Sequence, residues 1–186
     1  MALTQRRLTL EEFLKLPEGK PALEFEDGVV IQKWSPKGQH SGLQGELVER
    51  FNRFARPAKL ALALPELRVT FGGRSYVPDV SVYRWERIPV DEAGRLANDF
   101  FDPPDIAVEI VPPEQRVNAQ VRRCLWFVAN GVGAALLVDP ADESVLLFRP
   151  GQSPQPLHAA EAVEFGDLLP GFQLSVQELF DSLKLA

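Results

Sequence analysis

Two carboxylates stand at positions where a carboxylate is costly. Glu109 interrupts the apolar run Ile106-Ala-Val-Glu-Ile-Val111, and Asp79 lies in Val77-Pro-Asp-Val-Ser-Val82, a stretch of strand-forming residues. Burying an unpaired charge is expensive unless the group is protonated, paired or bound to a cation. Two acids on neighbouring strands offer what Mg²⁺ takes: hard oxygen donors, usually one or two carboxylates completed by water and a substrate phosphate. A cation held there could turn one of its waters into a nucleophile. The alternative for either acid is an ordinary strand-end carboxylate paired with a nearby arginine.

The elements that must position these acids follow from periodicity and turn chemistry. Thr9-Leu-Glu-Glu12 reads as a capping box opening a short helix over Leu10, Phe13 and Leu14, stopped by Pro17. Leu23 to Ile31 alternates around Asp27-Gly28, a hairpin signal, and Ser35-Pro36-Lys37-Gly38 ends the second strand. From Gln39 to Phe54, the residues Leu43, Leu47, Val48, Phe51 and Phe54 recur at helical spacing. Residues 59–71 read as extended, and Gly72-Gly73 turns the chain into a strand over Ser75 to Tyr83, irregular at Pro78 because proline lacks a ladder donor. The interval from Glu86 to Asp105 is irregular and long enough for a functional flap.

Ile106 to Val111 is apolar enough for a strand covered on both faces, and Pro112-Pro113 closes it. Val117, Val121, Cys124, Leu125 and Val128 predict a helix ended by Asn130-Gly131. Strands over Gly133 to Val138 and Ser144 to Arg149 follow, then a surface loop from Pro150 to Pro156 and a terminal helix from Ser175. Nothing repeats and no shift in composition marks a second domain, so a single domain over residues 1–186 is expected.

Composition limits the classes open to the chain. A single cysteine, Cys124, excludes an intramolecular disulfide scaffold and a thiolate zinc site. No apolar run approaches the ~20 residues of a membrane helix, and the N-terminus lacks an apolar leader core. The expectation is a soluble cytoplasmic protein with no membrane partner. A net charge of −6 argues against coating nucleic acid through a broad basic surface. The excess acid lies in the last third, however, and the window from Gln115 to Val138 carries Arg116, Arg122 and Arg123 with no acid.

Pro78-Asp79-Val80, then Val108-Glu109-Ile110, then an amphipathic helix ending in Gly131-Val132 and a strand ending in Val138-Asp139-Pro140 give an order and spacing that resembles the Uma-two family of endonucleases. That family is a branch of the PD-(D/E)XK restriction-endonuclease-like superfamily. The resemblance extends to the hairpin Leu23-Glu24-Phe25-Glu26-Asp27-Gly28, to Ser35-Pro36 with His40 opening the first long helix, and to Pro170-Gly171-Phe172, and so covers essentially the whole chain. It implies an α/β (α+β) fold, a mixed central sheet flanked by helices with an N-terminal β-hairpin. It also implies Asp79 and Glu109 as metal ligands for Mg²⁺ or Mn²⁺, and hydrolysis of DNA phosphodiester bonds.

The sequence departs from the superfamily pattern at one chemically important point. The superfamily places a lysine near the second acid; two residues after Glu109 stands Val111. The family instead supplies the lysine from the following helix, and counting back from Gly131-Val132 through Phe127 puts Arg123 in that slot. An arginine keeps the charge and the fork that suits phosphate, but stays protonated and so loses acid/base capacity. Two readings therefore stand: a Mg²⁺-dependent endonuclease with Arg123 in the phosphate-facing role, and a catalytically inactive relative that binds nucleic acid or a protein partner in the same cleft. A third, a carboxylate-pair hydrolase of a small substrate, needs an apolar pocket.

Further candidates surround this core. Glu24 braces the site from the hairpin by resemblance only, His40 could approach a metal or phosphate, and Glu46 is either an additional acid or a partner of Arg50. Arg116 and Arg122 are candidate DNA-contacting residues or a solvated helix face. Trp34, Trp85 and Trp126 read as core or interface aromatics, with Trp85 the one base-stacking candidate. A homo-oligomer, dimer or higher, is expected, since cutting both strands needs two active sites unless one site acts twice.

Overall fold

Four short strands that are buried almost without interruption, over residues 80–84, 106–110, 134–139 and 144–148, build the frame of the molecule. The computed structural model describes residues 7–112 and 117–185. Its elements run α1 (Leu10–Leu14), β1 (Leu23–Glu26), β2 (Val29–Gln32), α2 (Gly38–Ala55), β3 (Ala61–Pro65), β4 (Val69–Phe71), β5 (Arg74–Tyr76) and β6 (Val80–Arg84). They continue as β7 (Ile106–Ile110), α3 (Val117–Ala129), β8 (Ala134–Asp139), β9 (Ser144–Phe148), β10 (Gln155–His158), β11 (Ala162–Glu164), β12 (Gln173–Ser175) and α4 (Val176–Asp181).

The main sheet has the order β10-β9-β8-β7-β6-β3, with β7 and β8 parallel and the other neighbours antiparallel. The parallel pair is joined by α3, the crossover that parallel strands require. Every residue of β7 is buried, as expected of a strand covered on both faces. On one face Ile106, Val108 and Ile110 pack with Leu43, Leu47 and Phe51 of α2; on the other Ala107 and Val111 pack with Cys124 and Phe127 of α3. Glu109 shares the α3 side by strand alternation. Beyond the end of α3 at Ala129, Gly131, with a φ of +103°, reverses the chain, and the amide of Val132 donates to Phe127 O at 3.1 Å.

A second sheet, order β2-β1-β5-β4, carries the hairpin, and α1 rests on it through stacked Phe13 and Phe25 rings 5.3 Å apart. The capping box forms as read: Thr9 Oγ1 accepts from the Glu12 amide at 3.2 Å and Glu12 Oε2 from the Thr9 amide at 2.9 Å. Edge strand β3 is tied to α2 by Asn52, whose side-chain amide donates to and accepts from the Ala63 backbone at 2.9 Å each way. No described helix is long and apolar enough to cross a membrane.

Three local expectations differ from the structure. The strand read over Ser75 to Tyr83 is two strands, β5 and β6, belonging to different sheets. Pro78 stands at the break, and the flanking polar groups are satisfied from outside the ladders: the Val77 amide donates to Glu24 Oε1 at 2.9 Å, and Asp79 O accepts from the Glu66 amide at 3.2 Å. The stretch from Glu86 to Asp105 is no flap over the acids. Asp105 binds the Arg84 amide at 2.8 Å and Arg87 at 2.7 Å, and Tyr83 donates to Asp102 O, pinning the segment to the end of β6 remote from Asp79. Finally, β10, β11 and β12 occupy segments given to loop or left unassigned, since their short, Pro-containing or mostly exposed sequences carry little strand signal.

Candidate active site

The break at Pro78 is what brings the acids together. Strands β6 and β7 pair Val80 with Val108, so one step further along this antiparallel register Asp79 comes opposite Glu109. Both side chains are almost fully buried, and both line one cavity of about 600 Å³ between the hairpin, α2, α3 and the strand ends. The sequence-level pairing of Asp79 and Glu109 at one site is therefore what the register builds.

Asp79 is held at both oxygens. Oδ1 accepts from the Lys33 ammonium at 2.6 Å; Oδ2 accepts from the Ile110 amide at 2.7 Å and lies 3.1 Å from His40 Nε2. Its backbone carbonyl accepts from Gln44 Nε2 at 2.8 Å. Burial alone would raise the Asp79 carboxyl, but the His40 hydrogen bond and the Lys33 charge outweigh it and hold the group below the ordinary carboxylate range. Lys33 mirrors this: burial works against its charge, and Asp79 and Glu109 together keep its ammonium protonated to higher pH than usual.

Glu109 sits in the opposite regime. Burial pushes its carboxyl up to about 7, with Arg123 partly offsetting the rise and Asp79 adding to it. The two acids thus titrate far apart, an arrangement typical of paired carboxylates with different duties.

Arg123 faces inward as a brace. Its Nη2 donates to Glu24 Oε2 at 2.6 Å and Nη1 to Glu24 Oε1 at 3.1 Å, while both Glu109 oxygens lie 3.5 Å from Nη1. The guanidinium carbon stands 4.6 Å from the centre of the Tyr76 ring. Glu24, also buried, thereby ties β1 to the β5–β6 break through Val77 and to α3 through Arg123.

The other predicted residues divide. His40 and Arg122 line the cavity, His40 buried against Asp79 and Arg122 exposed at the rim. Glu46 does not reach it: its carboxylate pairs with Arg50 one turn along α2. Arg116 lies outside the described residues. Trp85 begins a 3₁₀ turn away from the acids, whereas Trp34, read from sequence as core or interface, lines the cavity with most of its surface in solvent. Lys33 is the residue that sequence reasoning missed. One signal existed, a lone lysine directly before the Trp34-Ser-Pro that ends the hairpin, but its direction depends on how the hairpin docks.

The donor chemistry fits a divalent cation of the Mg²⁺ type. Among the described residues no trio of acidic, histidine or cysteine side chains forms a dedicated cage. Magnesium does not need one: one or two carboxylates with water and substrate phosphate suffice, and two carboxylates of unequal basicity are present. The His40 Nδ1 atom, buried without a hydrogen-bond partner among the described residues, adds an unsatisfied polar group beside them.

Residues 10–177 match the Uma2 family, described as putative restriction endonuclease. The chain is similar to the crystal structure of a putative nuclease belonging to DUF820 from Anabaena variabilis, with 39% identity and a TM-score of 0.91, covering 95% of this chain and 99% of that one. A DrdV–DNA complex is a remote match, 12% identical with a TM-score of 0.35 over 76% of this chain and 14% of that one. No curated protein sequence matches significantly.

Proposed function

The chain belongs to the Uma2 family of putative restriction endonucleases, and on that premise we propose that it is a PD-(D/E)XK-type endonuclease hydrolysing DNA phosphodiester bonds with Mg²⁺ or Mn²⁺. The observation that carries this reading is the convergence of Asp79 and Glu109, from adjacent strands, in one cavity ringed by basic side chains. These two carboxylates would hold the cation. When bound, it would lower the pKa of a water and offset charge on the scissile phosphate.

The remaining roles follow from what each side chain touches. His40 and the Ile110 amide fix the Asp79 carboxylate, so that its Oδ1 is the oxygen left to a mobile cation. Lys33 is that mobile cation. Its flexible ammonium can leave Asp79 for a phosphate oxygen and offset charge there, which Arg123, held by two carboxylates, is not placed to do. We therefore assign to Lys33 the role the superfamily gives its lysine, and to Arg123 the positioning of Glu24 and Glu109. Arg122, and Arg116 beyond the described residues, would contact flanking phosphates through charge-assisted hydrogen bonds. Cutting both strands calls for two such sites, which a homo-oligomer would supply.

One observation favours a second reading, a silent nucleic-acid-binding relative: Lys33 and Arg123 already neutralise the acids without metal. A plasmid-nicking assay separates the two. The endonuclease reading predicts nicking with Mn²⁺ or Mg²⁺ that EDTA, Asp79→Asn and Glu109→Gln each abolish. DNA binding without nicking under any divalent ion would establish the silent relative.

A further inference from the structure

Phosphodiester chemistry needs carboxylates and cations, yet the same cavity has an exposed apolar wall. Trp34 is 70% exposed, and Ile31 and Leu125 beside it in the lining are 37% and 42% exposed. Isolated exposed apolar residues need no explanation, whereas several gathered on one rim mark a contact surface. Trp34 directly follows Lys33, so their Cα atoms are about 3.8 Å apart, and Lys33 Nζ lies 2.6 Å from Asp79 Oδ1. The backbone that carries this indole is thus one residue from the lysine that reaches Asp79.

Charge identifies the occupant. Across the lining, five lysines and arginines face four carboxylates, within a chain whose net charge is −6. Lys33, Arg74 and Arg123 are engaged by those carboxylates, so the surplus positive charge lies toward the rim, where Arg122 is exposed and suits an anionic group. A cationic rim, a flat aromatic ring and a ligand-sized volume suit a nucleotide unit: about 600 Å³ lies inside the range of roughly 300–1,000 Å³ for small-ligand sites. A base stacked and paired within a duplex has its faces covered by its neighbours, so only an unpaired base can lie on the indole.

We infer that Trp34 is the platform of a nucleobase subsite, and that the protein takes single-stranded or locally unpaired DNA with one base stacked on the indole and its phosphate directed to Asp79 and Glu109. The inference rests on the cavity being a phosphodiester site and adds the substrate form. Stacking on an aromatic side chain is sequence-tolerant, because every base has a π-face, and loss of one platform weakens binding at least about fivefold.

The test uses the full-length protein in EDTA, with fluorescence anisotropy of a labelled oligothymidine and of a blunt duplex. Trp34→Ala is expected to weaken oligothymidine binding at least about fivefold and leave duplex binding unchanged, while Trp34→Phe retains most of the affinity. Circular dichroism melting of each variant verifies the fold. Equal affinity of wild type and Trp34→Ala for oligothymidine overturns the inference, as does an equal loss on both DNA forms. A changed sedimentation coefficient in Trp34→Ala with binding intact also overturns it, by assigning the indole to a subunit contact. Hydrolysis assays keep the two readings apart. Trp34-dependent binding of oligothymidine without hydrolysis in Mn²⁺ upholds the subsite and rejects the nuclease; hydrolysis of duplex that is indifferent to Trp34→Ala does the reverse.

Discussion

Replacing Arg123 separates a brace from a catalytic group. The guanidinium makes two hydrogen bonds to Glu24, at 2.6 and 3.1 Å, approaches Glu109 at 3.5 Å, and lies 4.6 Å from the Tyr76 ring centre. Both carboxylates it serves are buried. Breaking a buried pair by deleting one partner costs about 3–5 kcal/mol, because the remaining charge is left without compensation. Glu109 can relieve itself by taking a proton, since its carboxyl already titrates at about 7, so the penalty for Arg123→Met falls mainly on Glu24. Arg123→Lys keeps the charge and one hydrogen bond but loses the fork and the ring contact. With about 1.5–3 kcal/mol per charged hydrogen bond, that variant should lose roughly 2 kcal/mol. The assay is urea unfolding at pH 7.5, read at constant m-value. Glu24→Gln combined with Arg123→Met should be more stable than the sum of the single losses, because the pair is then removed together. In DNA hydrolysis, Arg123→Lys should bring no gain, since its slot is occupied by structure. Unfolding midpoints of Arg123→Met and Arg123→Lys within about 0.5 kcal/mol of wild type, or strict additivity with Glu24→Gln, would refute the brace.

Two further outcomes follow from the same site. Lys33→Met removes the ammonium that competes for Asp79 Oδ1, so Mn²⁺ should bind more tightly by calorimetry while nicking falls by at least about a hundredfold, within the usual range for loss of one electrostatic stabiliser of the transition state; unchanged turnover would remove Lys33 from the mechanism. Glu109, whose folded value of about 7 exceeds the ordinary 4.5, contributes a pH dependence to metal-free stability. Between those limits the folded state keeps a proton that the unfolded state releases, so stability from this group is complete below pH 4.5 and is lost as pH rises through 7. The loss is about 3 kcal/mol, and Glu109→Gln should abolish it in thermal melts in EDTA; an unchanged pH slope would contradict the burial argument.

Much of this architecture is legible in the sequence because the relevant signals are local. Helical spacing of Leu43, Leu47 and Phe51 marks α2, Asp27-Gly28 marks the hairpin turn, and the apolar run around Glu109 marks a strand buried on both faces. What was hidden depends on docking between elements. Pro78 signals irregularity but not that the chain leaves one sheet for another there. Lys33 and Trp34 follow the hairpin at positions whose side-chain directions are set only when that hairpin packs against the main sheet. Arg123 occupies its family slot, yet whether it faces substrate or a neighbouring acid depends on Glu24, ninety-nine residues earlier in the chain. The segment from Glu86 to Asp105 has the composition of a mobile loop, and the buried Asp105 carboxylate with Arg84 and Arg87 fastens it instead.

The central claim is that Asp79 and Glu109 together form one divalent-cation site. Isothermal titration of Mn²⁺ into the metal-free protein tests it directly, alongside Asp79→Asn and Glu109→Gln proteins whose folding is verified by circular dichroism. One saturable site in the wild type that is lost in both variants is the predicted result. Binding that survives either substitution, or no binding to the wild type at all, would contradict it.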